Sequence, residues 1–77
     1  MSDSLHALAV QRVQRAMGPG PGGDAVKAGL AAIGVPELRS PVDLLAFAEF
    51  LIARHGVYEA VGRGLKVTAI LRGAPAS

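Results

Sequence analysis

Few side chains in this chain could carry chemistry. It has two histidines, six carboxylates, four serines and no cysteine. A nucleophilic serine needs a base beside it and a third group to orient that base. Ser2, Ser4 and Ser77 lie near the ends of the chain, and Ser40 sits where a helix cap is wanted. A zinc site needs imidazoles or thiolates that converge on one point. Neither His6 nor His55 has a second histidine three or four residues away. His6 reads as a core-edge side chain and His55 as a cation for a helix carboxyl end. Glu49 lies within an apolar run, where a carboxylate must be paired or protonated because a lone buried charge is costly. No second acid stands at a catalytic spacing from it, since Asp43 falls on another face. An ion pair with Arg12, Arg15 or Arg63 is the expectation. The sequence therefore predicts no catalytic residue, no metal, no cofactor and no small-molecule substrate.

Two further patterns invite comparison with known binding chemistry. The run Gly18-Pro19-Gly20-Pro21-Gly22-Gly23 has neither the Gly-Lys-Ser/Thr ending of a phosphate loop nor a preceding strand, and its prolines lack backbone donors. It reads as a flexible loop over 18–23. The stretch from Gly29 to Leu45 has helix-turn-helix spacing. Its second helix, however, would bring Val42, Asp43, Leu45 and Ala46 to base edges, where polar or basic groups are needed. A looser nucleic-acid reading rests on pI ≈ 9.7 and on Arg54, Arg63, Lys66 and Arg72 in the carboxyl-terminal half. With a net charge of +2 and no aromatic interleaved among them, it stands as the alternative reading.

The elements that must position these residues are clearly punctuated, and they predict a single all-α domain over 1–77, a small bundle of about four helices. The first runs from about Ser4 to Met17, with Leu5, Ala9, Val13 and Met17 at three- and four-residue spacing. The second runs from about Ala25 to Ile33, capped by Asp24. Gly34 follows as the left-handed terminator and Pro36 as the block; residues 36–39 have room for one further turn. The third occupies 41–55, with Ser40 as N-cap, Pro41 first and Asp43 completing an approximate capping box. The fourth runs from about Val57 to Leu71, with Glu59 and Arg63 at a favourable i, i+4 spacing. Gly62 and Gly64 imply either a close helix approach or a break. Residues 73–77 read as a frayed tail.

The composition is 51% hydrophobic and 18% charged, far from that of a disordered chain. Six arginines to two lysines, with abundant alanine and glycine, point to a GC-rich, bacterial source. The absence of cysteine, of a basic leader segment and of a membrane-length apolar run fits the cytoplasm. The helix spacing resembles that of small bacterial adaptor or signalling domains, death-fold-like ones included, in size and class alone.

The third helix is the most informative. Apolar residues occupy nearly its whole circumference, whereas a surface helix keeps one stripe. A chain this short buries only about 60–65% of its unfolded surface. Three short neighbours would then leave that helix partly uncovered. The expectation is a non-enzymatic protein–protein interaction module, a self-associating adaptor or scaffold whose partners are itself and another protein. Its interface would be Leu44, Leu45, Phe47, Glu49, Phe50, Leu51, Ile52, Val61 and Leu65.

Overall fold

A computed structural model describes residues 4–75. Its elements are α1 (Leu5–Met17), α2 (Pro19–Ile33), α3 (Pro41–Ala53) and α4 (Gly56–Leu71). The all-α bundle is therefore as expected. Several ends follow the local chemistry closely. Ser4 accepts the Ala7 amide at the start of α1, and Ser40 accepts the Asp43 amide at the start of α3. Asp43 reaches back one residue beyond the cap, to the Arg39 amide. Gly34 ends α2 with φ 77°, and both its amide and that of Val35 return to the Leu30 carbonyl.

The structure corrects the expected loop at 18–23. Only Gly18 is outside a helix, with φ 92°, and Pro19 to Gly23 form the first turns of α2. The first amides of a helix have no intrahelical partner, so Pro19 and Pro21 give up no bond there. The ladder begins with the Gly22 amide on the Gly18 carbonyl. Gly22 also lets the two helices approach, because a Cβ there would lie 2.8 Å from the Gln14 Cα. Asp24 is thus interior to α2 and caps nothing.

The tail reading is corrected as well. After α4 the Gly73 amide bonds to the Ile70 carbonyl and the Ala74 amide to that of Ala69, the paired bonds of a Schellman ending. This turns Ala74 into the core, where it is 5% exposed. Ala76 and Ser77 lie outside the described residues. No helical turn forms over 36–39. Instead Leu38 drops into the core, and its amide donates to His6 Nδ1 at 3.2 Å. The third helix stops at Ala53, short of the expected 55. His55 takes φ 64° in the tight link to α4 and so is not a cation on the last turn of α3.

The core is built on Phe47, Leu44, Leu51, Leu65, Val13 and Leu38. The most extensive packing joins α3 to α4, then α1 to α2; α2 and α1 close over α3. Gly62 explains the first pairing, since a Cβ there would stand 2.8 Å from the Ala48 carbonyl oxygen. The helix runs unbroken through Gly62 and Gly64, so close approach accounts for Gly62. Helix α4 touches α3 and α1 but not α2, which leaves one flank of α4 without a neighbour.

Candidate functional site

The expected interface does not stay together at the surface. Leu44, Phe47, Leu51 and Leu65 are fully buried inside the single chain and cannot meet a partner. Leu45, Phe50, Ile52 and Val61 are half-buried. The reason is how closely α2 packs on α3. It carries Gly29 over Phe47 and Phe50, so closely that a Cβ there would overlap the Phe47 ring. Leu38 covers more of the same core. Phe50 is also shielded by the Arg54 guanidinium, 5.4 Å from its ring centroid and 5.0 Å from that of Tyr58.

Glu49 is not buried. Its side chain is 48% exposed and pairs with Lys66 Nζ at 3.0 Å, not with Arg12, Arg15 or Arg63. Arg63 makes two bonds to Glu59 Oε2, at 2.6 and 3.0 Å, and His55 Nδ1 lies 3.5 Å from Glu59 Oε1. The hydrogen bond from Arg63, then that from His55, holds the Glu59 carboxyl below its ordinary pKa. Three of the four cations in the nucleic-acid reading are thereby engaged within the chain: Arg54, Arg63 and Lys66. Arg72 caps the exposed end of α4. Among the described residues no three His, Asp or Glu side chains gather as metal ligands, and no helix is long and apolar enough to cross a membrane.

The surface has a different apolar feature, which the sequence reading missed. Among the described residues four large apolar side chains are exposed, and three of them, Val57, Val67 and Leu71, belong to α4. With exposed Ala60 and Gly64 between them, they follow a three-four-three-four spacing. At 100° per residue that spacing gathers them into a stripe about 80° wide. It lies on the flank of α4 that no other helix covers. Its Ala60 and Gly64 also line an open groove of about 350 Å³ between α1 and α4, together with Arg12, Arg15, Ala16 and Val61. The spacing was readable in the sequence. Which of the two apolar faces of α4 turned inward was not, because Val61, Leu65 and Ala69 offer an equally regular stripe.

Neither a family model, nor a curated protein, nor a solved structure matches this chain.

Proposed function

We propose that this protein is a non-enzymatic protein–protein interaction module, and that it meets other chains through the outer face of α4 and not through α3. One observation carries this reading. The exposed large apolar side chains are concentrated on α4, with Val57 48%, Val67 57% and Leu71 80% exposed. Exposed apolar side chains scattered singly need no explanation, but a contiguous stripe marks a contact surface. The small Ala60 and Gly64 at its centre let another backbone come close. The nucleic-acid alternative is less well supported, because its cations are mostly engaged within the chain and the exposed face between them is apolar.

The test is the double variant Val67→Glu, Leu71→Glu, compared with the wild type for helicity, thermal stability and the mass of its complexes in solution. Both side chains project into solvent, so the variant is expected to fold as the wild type does and to lose its protein complexes. A variant that keeps every complex of the wild type would end the proposal.

A further inference from the structure

The groove beside α4 has a charged wall whose arrangement is built and not incidental. The Arg12 guanidinium donates from Nη1 to Thr68 Oγ1 at 2.9 Å, and the Thr68 hydroxyl donates in turn to the Gly64 carbonyl at 3.1 Å. This chain of two bonds fixes an arginine across the α1–α4 seam, at the edge of the apolar stripe. The partner it has there is a neutral hydroxyl, so its charge is not compensated. Arg15 lines the same groove. Among the described residues neither Arg12 nor Arg15 forms an ion pair with a carboxylate, whereas Arg39, Arg63 and Lys66 all do. Among the described residues no acidic side chain lines the groove.

We infer that the occupant of this surface is an acidic amphipathic helix of another protein. Its apolar side chains lie along Ala60, Gly64, Val67 and Leu71, and its carboxylates face Arg12 and Arg15. The inference rests on the interaction reading of α4 and adds the partner's chemistry. In helix-in-groove docking the incoming helix lays its apolar face on an apolar surface, which Ala60, Val61 and Gly64 in the groove and the exposed Val67 and Leu71 offer here. Charge at the rim then selects the partner and sets its orientation. A second copy docked symmetrically on the same face would bring Arg12 and Arg15 towards their own counterparts, a like-charge arrangement that disfavours pairing. A nucleic-acid backbone would satisfy the arginines but leave the valine and leucine stripe uncovered.

The probes are two synthetic amphipathic helical peptides with the same leucine face, one flanked by glutamates and one by lysines. Binding to the full-length protein is followed by fluorescence anisotropy at low and moderate salt. The glutamate peptide is expected to bind, more weakly as salt rises, and the lysine peptide not to bind. Arg12→Gln with Arg15→Gln should weaken the glutamate peptide by about tenfold. Thr68→Val, which keeps the side-chain shape but releases Arg12, should weaken it less. Gly64→Leu places its side chain where a Cβ meets nothing within 4 Å. It should therefore block the groove without unfolding the bundle, which circular dichroism checks. Equal binding of both peptides, binding of neither, or indifference to the arginine substitutions would overturn the inference. So would a dimer that the Leu71→Glu substitution dissolves, or duplex DNA binding lost with the two arginines. If Val67→Glu, Leu71→Glu abolishes complexes while the arginine pair does not, the interaction reading stands and the acidic partner falls.

Discussion

Gly62 and Gly64 stand two residues apart in one helix, and the structure assigns opposite signs to the same substitution at each. Alanine is better than glycine in a helix interior by roughly 0.5–1 kcal/mol, because it loses less backbone freedom on folding. At Gly64 nothing lies within 4 Å of an added Cβ, so Gly64→Ala should gain that amount. In a domain of this size the gain raises Tm by about 4–8 °C per kcal/mol. At Gly62 the added carbon would stand 2.8 Å from the Ala48 carbonyl oxygen and 2.9 Å from the Ile52 nitrogen, both backbone atoms of α3. No rotamer change relieves that overlap, so the two helices must move apart along their most extensive contact. Overpacking of this kind costs about 1–3 kcal/mol. Set against the propensity gain, Gly62→Ala should destabilise by about 1–2 kcal/mol. Urea titration followed by circular dichroism measures both changes. A Gly62→Ala variant as stable as the wild type would show that α3 and α4 do not approach as described, and the packing argument would fail with it.

Two further outcomes follow from the geometry. Gly20 and Gly23 lie in the helical start of α2 with no atom within 4 Å of an added Cβ; alanine at each should stabilise by about 0.5 kcal/mol, whereas a flexible connector over 18–23 would show no gain in helicity by circular dichroism. The lowered pKa of Glu59 means that its contribution to stability is fully present above the ordinary glutamate value and is lost as pH falls through the lower folded-state value. Glu59→Gln should flatten that acid limb of the stability–pH curve, and an unchanged limb would count against the contact with Arg63.

Helix α3 shows how far local pattern reaches. Its N-cap, its proline start and its apolar circumference were all legible, because capping and hydrophobicity are properties of neighbouring residues. What covers it was not. The glycine–proline run looks like a breaker in isolation, yet its prolines fall where a helix has no bond to lose. The turns that α2 gains there pack Gly22 against Gln14 of α1, while Gly29 further along the same helix lies on Phe47 and closes the core. Glu49 illustrates the same limit, since burial of a charge cannot be inferred from apolar neighbours along the chain when the helix turns that position outward.

The sequence by itself determined the helix count, three of the four helix starts to within a residue, the left-handed stop at Gly34 and the absence of cysteine chemistry, all consequences of short-range sterics and hydrogen bonding. Only the tertiary structure decided which face of each helix is covered. Helix α4 carries two apolar stripes, and close packing at Gly62 turns one onto α3 while the other, beside Arg12 and Arg15, is left to solvent. That choice depends on contacts between residues far apart in the chain, which no local pattern encodes.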